Sequence, residues 1–151
     1  MIQIKAVDAE NIWDVCGLAS RQDSLAAAAW GRPCCNAVFL AETKFHPHMH
    51  PQAIYSNHTL VGFFLYTRAE NQAETATILR FMIDDRFRQK GLEEKALEHI
   101  LHGLKIQGVK KVALMLGEAD ESMKLRCLSL GFRFTGQNGR GEGRYELEWQ
   151  P

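Results

Sequence analysis

The chain has 151 residues, which suits one domain spanning residues 1–151 and leaves no room for a second activity. Hydrophobic residues make up 46% of it, enough for a packed core and too many for a disordered chain. The formal net charge is 0, so no overall field attracts phosphates, which argues against a nucleic-acid-binding protein. The charge is nevertheless uneven, because residues 80–111 hold eight basic and five acidic side chains, a local excess of +3.

Targeting and redox signals are weak. No stretch approaches the roughly 18 apolar residues of a membrane span, and the N-terminus lacks the features of a secretion signal. The four cysteines, Cys16, Cys34, Cys35 and Cys127, fit no zinc-binding spacing. We interpret them as reduced thiols and expect a cytoplasmic protein with no metal site and no membrane partner.

The first third of the chain is predicted to be mainly helical. Alternating apolar and polar residues predict a strand over residues 2–7. A helix over residues 9–18 follows, and Asp8 can cap its first turn. Two further helices, over residues 24–30 and 36–45, are separated by a glycine and a proline.

The middle of the chain is predicted to form strands. Residues 46–51 are predicted to be a loop, because two prolines in six positions suit neither a helix nor a central strand. The polar pair Asn57 and His58 predicts a hairpin turn between two strands. The predicted strands cover residues 52–56, 60–66 and 76–83.

The last third alternates helices and strands. Apolar residues recur every three or four positions from Gly91 to Gly108, which predicts a helix. The elements predicted after it are a strand at 109–116, a helix at 120–130, and strands at 132–135 and 144–149 around a glycine-rich turn at 138–143. This order predicts an α+β fold, in which one sheet has antiparallel and parallel strand pairs and is covered by helices.

The sharpest local feature is the junction at residues 83–92. A buried strand ends in two acids, passes through a basic loop with one glycine, and opens a helix. A helix start offers unpaired N–H groups and the positive end of the dipole, so it can bind phosphate, and Arg86, Arg88 and Lys90 would add positive charge. The alternative is an ordinary strand-to-helix turn whose basic residues are solvated.

This junction resembles the pyrophosphate loop of the GNAT family of N-acetyltransferases. That motif has Gln or Arg, two variable residues, Gly, one variable residue, and Gly or Ala. Residues 88–93 match its first four positions, and residues 79–87 are similar to bacterial members of the spermine/spermidine type. The order of elements agrees from residue 2 to residue 149, so the resemblance covers nearly the whole chain.

The resemblance implies a mostly antiparallel sheet with one splayed parallel pair and helices on both faces. It also implies direct transfer of an acetyl group from acetyl-coenzyme A (acetyl-CoA) to a small amine, such as a polyamine, in a ternary complex. A homodimer is a further expectation from the family. The residues that would bind the cofactor are Phe81, Met82, Ile83, Arg88, Gln89, Lys90, Gly91, Leu92, Glu93 and Asp120.

The sequence departs from the family pattern at three functional points. Glu93 replaces the last small residue of the loop, and its carboxylate would repel a pyrophosphate. Leu79 and Arg80 stand where many relatives carry an acidic residue in the strand. Cys127 stands where relatives often have a tyrosine as the general acid; its thiol is either a weak acid candidate or a small buried hydrophobe.

These departures leave a second hypothesis open, in which the protein keeps the fold and binds or senses coenzyme A or another ligand without turnover. Two further features stay ambiguous. Glu42 could bind a cationic amine or be a solvated surface acid. The alternating His46, His48 and His50 could bind zinc or nickel, or form a solvated or substrate-covering loop.

Overall fold

A computed structural model describes residues 1–117, 120–137 and 141–149, without the side chains of Gln89 and Lys90. Seven strands form one sheet in the order β1-β2-β3-β4-β5-β7-β6. The strands are β1 (Ile2–Ala6), β2 (Met49–Ser56), β3 (Thr59–Thr67), β4 (Thr75–Ile83), β5 (Lys111–Leu116), β6 (Arg133–Gln137) and β7 (Gly143–Glu148). Neighbouring strands are antiparallel except for β4 and β5, which run parallel.

Helices cover both faces of this sheet, so the predicted α+β fold is confirmed. The helices are α1 (Ile12–Gly17), α2 (Arg21–Trp30), α3 (Asn36–Glu42), α4 (Leu92–Ile106) and α5 (Glu121–Ser129). One buried cluster joins the apolar stripe of α4 and the inner face of α5 to the sheet. A smaller cluster joins Val15 and Leu18 to Phe63, Leu65 and Met82 on the opposite face. No helix within the described ranges is long and apolar enough to cross a membrane.

The predicted hairpin between β2 and β3 is confirmed. Its two central residues, Asn57 and His58, have φ values of +49° and +71°. Positive φ at both central positions is the geometry of a tight turn whose twist matches that of the flanking strands. The glycine-rich turn predicted at residues 138–143 lies partly outside the described residues, at positions 138–140.

The helix predicted at residues 9–18 begins later than expected, at Ile12. The Asp8 carboxylate accepts hydrogen bonds from the backbone N–H groups of Glu10 and Asn11, at 2.9 and 3.0 Å. The Asn11 side chain in turn accepts from the N–H of Asp8. These local bonds hold the chain in a turn before the helix, which is a competing use of Asp and Asn side chains.

The loop predicted at residues 46–51 is wrong for its second half, because β2 begins at Met49 and includes Pro51. Pro51 pairs with Leu65 of β3, and its carbonyl accepts a hydrogen bond from Val7, just beyond the end of β1. A strand tolerates a proline where no neighbouring strand needs its missing N–H. Residues 43–45, predicted to continue the third helix, form a separate 3₁₀ turn.

Candidate active site at the opening between β4 and β5

The parallel strands β4 and β5 stay paired only at one end. Thr75 to Ile78 face Lys111 to Leu114, and past this point the two strands diverge. The gap opens into a cavity of about 290 Å³. Its walls come from α2, the far end of β4, the end of β5 and the starts of α4 and α5, and they include Asp23, Trp30, Phe39, Leu79, Arg80, Phe81, Met82, Ile83, Arg88, Glu93, Met115, Leu116, Asp120 and Met123.

The start of α4 closes one end of this cavity. Residues 85–90 form a 3₁₀ turn, and Gly91 follows with φ of +69°, a conformation that favours glycine. No side chain caps the first turn of α4 in the structure as described. The N–H groups of a helix's first turn have no partner within the helix, so this end of the cavity carries free donors and a positive dipole.

Glu93 does not stand alone at this helix start. Its Oε1 accepts a hydrogen bond from Nε of Arg88 at 2.6 Å, and only 7% of its side chain is exposed. Arg88 also lies 3.7 Å from Asp85. The departure from the family motif is therefore accompanied by an internal ion pair between Glu93 and Arg88.

Asp84 and Asp85 connect the loop before α4 to the residues around the start of α2. Asp84 is 4% exposed and accepts hydrogen bonds from the N–H of Ala19 and from the N–H and Nε of Arg86. Burial alone would raise the pKa of Asp84, but the hydrogen bonds from Arg86 and Ala19 hold it below its ordinary value. Asp85 accepts from the N–H of Arg21 at 2.7 Å.

Asp120 lies immediately before α5, and Cys127 lies within this helix. Asp120 lines the cavity, and its carboxylate caps α5 by accepting from the N–H of Met123. Burial raises the pKa of Asp120, against the opposing effects of that hydrogen bond and of Arg88. Cys127 is fully buried in the core, and burial together with the nearby Asp120 raises the pKa of its thiol to about 12. Both features of Cys127 favour the structural role over that of an acid.

Arg80, at the position of the missing strand acid, is the centre of a buried polar network. Its Nη1 and Nη2 donate to the two carboxylate oxygens of Asp23, at 2.8 and 2.9 Å. Its Nε donates to Oδ1 of Asn36 at 2.8 Å, and Asn36 donates onward to the carbonyl of Val15. The guanidinium carbon lies 4.7 Å from the ring centre of Phe39, which is cation–π geometry.

Glu42 and His50, two further sequence candidates, have other surroundings. Glu42 is exposed and lines a neighbouring cavity that shares Trp30, Phe39, Leu79 and Met115 with the first. The rings of His50 and Tyr66 are tilted against each other by 34°, with their centres 5.0 Å apart. Within residues 1–117, 120–137 and 141–149, no group of three or more His, Cys, Asp or Glu side chains is arranged to hold a metal ion.

Comparisons with known proteins agree with this architecture. The model of the acetyltransferase (GNAT) family matches residues 12–132. The chain belongs to this family. A spermine/spermidine N(1)-acetyltransferase from Bacillus subtilis is 27% identical to this GNAT chain over 142 residues, covering 90% of each protein.

Solved structures share the GNAT fold. An acetyltransferase from Thermus thermophilus superposes with a TM-score of 0.77 at 19% identity, covering 98% of this chain and 97% of that one. The PaiA N-acetyltransferase from Thermoplasma acidophilum, solved in complex with coenzyme A, gives a TM-score of 0.67 at 15% identity and covers 99% of both chains.

The structure brings many of the expected GNAT cofactor residues to one cavity. Those that line it are Phe81, Met82, Ile83, Arg88, Glu93 and Asp120. Gly91 lies at the start of α4, whereas Leu92 packs into the core. The side chains of Gln89 and Lys90 fall outside the described part of the structure.

Sequence reasoning missed Asp23 and Asn36, which hold Arg80. A signal for them was available, because an arginine in a strand as apolar as β4 needs a buried acceptor.

Proposed function

We propose that this protein is an acetyl-CoA-dependent N-acetyltransferase that acts on a small amine, with polyamines as the first acceptors to test. The observation that carries the proposal is the gap between β4 and β5, which ends at the start of α4, where no described side chain caps the first turn. The named relatives support the acceptor and the cofactor: one is a spermine/spermidine acetyltransferase, and another was solved with coenzyme A.

The residues around the gap fit the two parts of the cofactor. A pantetheine arm needs a slot bordered by unpaired strand backbone, which residues 81–83 of β4 border where β5 has diverged. A pyrophosphate needs N–H donors, which the first turn of α4 after Gly91 supplies. Arg88 adds a donor to this site when it gives up its bond to Glu93.

The proposed reaction is direct acyl transfer. The amine nitrogen attacks the thioester carbonyl carbon, a C–N bond forms, and the C–S bond breaks with its electron pair leaving on sulfur. The nitrogen loses one proton and the thiolate gains one. Because a thiol has a pKa near 8.5, the thiolate is a stable leaving group that water can protonate. The protein therefore has little need of an acid at Cys127.

A protonated amine must lose one proton before its nitrogen can attack, so the groups that could accept this proton matter. The strand positions used by many relatives hold Leu79 and Arg80. The carboxylates of Asp23 and Glu93 in the cavity are each hydrogen-bonded to a guanidinium, and that of Asp120 accepts from the N–H of Met123. We therefore propose that the acceptor binds as the neutral amine, delivered from the solution equilibrium.

The experiment is an amine panel assayed with acetyl-CoA, with two readouts: release of the free thiol and mass-spectrometric detection of the acetylated amine. The panel contains spermidine, spermine, a diamine, a monoamine and, as the matched control, a tertiary amine that cannot be acetylated. We expect protein-dependent acetylation of at least one primary amine and none of the tertiary amine. Binding of acetyl-CoA without any acetylated product would refute the proposed activity.

A further inference from the structure

Helix α2 forms one wall of the cavity and buries none of its own residues. Its inner face presents Asp23, Ala26 and Trp30, which are half-buried, and all three line the cavity. Leu25 is 42% exposed although it also lines this space. A helix whose apolar face borders a cavity gains little from packing, so its position depends on a few specific contacts.

One set of contacts fixes the N-terminal end of α2 to the end of β4. Ala19 donates its N–H to Asp84 at 2.9 Å and accepts from the N–H of Asp85 at 3.1 Å. Arg21 donates its N–H to Asp85 at 2.7 Å. These bonds hold the first residues of the helix beside the loop that opens α4, but they do not reach its cavity face.

The second set is the ion pair between Asp23 and Arg80, which lies on the cavity face itself. Both carboxylate oxygens are engaged, and the side chains are 15% and 7% exposed, respectively. Because Arg80 also donates to Asn36 at the start of α3, one guanidinium joins α2, α3 and β4. Many relatives carry an acidic residue on this strand. In this chain the strand carries Arg80 instead, and Arg80 holds an acidic residue of α2.

We propose that Arg80 is a positioning residue for the acceptor amine: through Asp23 it holds α2 as the wall against which the acceptor's apolar part packs. The inference rests on the proposed N-acetyltransferase function. The alanine side chains and Trp30 on the cavity face of α2 suit the methylene segments of an alkylamine. Arg80 engages both carboxylate oxygens of Asp23, so we assign Asp23 to the wall and not to the reaction.

The test is steady-state kinetics of Asp23→Asn, Arg80→Gln and the double variant. The control is Lys111→Gln, which breaks a 2.6 Å ion pair with Glu146 away from the cavity. We expect either cavity variant to raise the acceptor's KM about tenfold, with the double variant no worse than the singles, because the residues act as one unit. The KM for acetyl-CoA, the pH profile of kcat and the control variant should stay as in the unmodified protein.

Either of two kinetic results would overturn the inference. One is an unchanged acceptor KM, and the other is an Asp23→Asn variant that loses kcat and its dependence on pH, which would make Asp23 the base. If Arg80→Gln does not fold, Arg80→Lys serves as the conservative variant. Amide hydrogen exchange over residues 21–30 measures directly how firmly α2 is held. Exchange there should be faster in Asp23→Asn than in the control; equal exchange refutes the inference. The amine panel assayed with the unmodified protein, which must give an acetylated product, separates this failure from failure of the proposed function.

Discussion

Replacing Glu93 with alanine should strengthen acetyl-CoA binding. In the free protein the Glu93 carboxylate occupies Arg88 with a 2.6 Å hydrogen bond at the start of α4, where the proposed pyrophosphate site lies. Alanine restores the small residue that the family motif has there, and it avoids the cost of about 1 kcal/mol that a glycine brings to a helix. Arg88 is then free to donate to a phosphate oxygen.

The expected gain follows from that one exchanged bond. A hydrogen bond between a guanidinium and an anion contributes about 1.5–3 kcal/mol, which corresponds to a decrease in Kd of roughly 10- to 150-fold. The same substitution leaves Arg88 without its closest partner in the free protein, so the free variant should unfold at a lower temperature. Saturating acetyl-CoA should recover part of this loss, since binding to the native state stabilises it.

Isothermal titration calorimetry of acetyl-CoA compares the unmodified protein with Glu93→Ala and with Glu94→Ala. Glu94 is the matched control: it lies one residue further along the first turn of α4, and its contact to Arg126 is 3.8 Å long. The control should bind as the unmodified protein does. An equal or weaker affinity of a folded Glu93→Ala variant would refute the reasoning that Arg88 is withheld from the phosphate.

Three further predictions concern stability and pH. Asp84→Asn should lower the unfolding free energy at pH 7 by about 1–3 kcal/mol, because an amide cannot accept all the bonds made by Arg86 and Ala19. The folded pKa of Asp84 is lowered, so its contribution is complete above about pH 4 and is lost as the pH falls through the folded value. Denaturant melts that show an equal difference between variant and parent from pH 7 to pH 2 would contradict this. Cys127→Ala should cost about 1 kcal/mol in chemical denaturation and leave kcat within twofold, whereas a kcat loss above about tenfold in the folded variant would restore the thiol as an acid. Turnover of a polyamine at subsaturating concentration should rise about tenfold per pH unit between pH 7 and pH 9, following the neutral amine; a plateau below pH 8 would indicate a base in the protein.

Local patterns were enough to predict most of the sheet and α4. Alternation over residues 76–83 and the apolar repeat after Gly91 each reflect a single buried face, which a short sequence window contains in full. The predicted start of α1 was wrong, and so was the prediction that Pro51 lies in a loop. The first depended on a side-chain turn at Asp8, and the second depended on where β1 happens to end.

The site shows the same division between local and distant information. The loop at residues 88–93 is contiguous, so its motif is visible in the sequence. The pair of Arg80 and Asp23 joins residues 57 positions apart, and nothing in either segment by itself names the other as its partner. The effect of Glu93 was equally hidden, because its charge could be judged only once Arg88 was found hydrogen-bonded to it.

We propose that the gap between β4 and β5, together with the start of α4, binds acetyl-CoA. Calorimetric titration of the unmodified protein with acetyl-CoA tests it most directly. We predict saturable binding at one site per chain, with competition by coenzyme A and a raised unfolding temperature. Absence of both heat and thermal stabilisation at millimolar acetyl-CoA would contradict it.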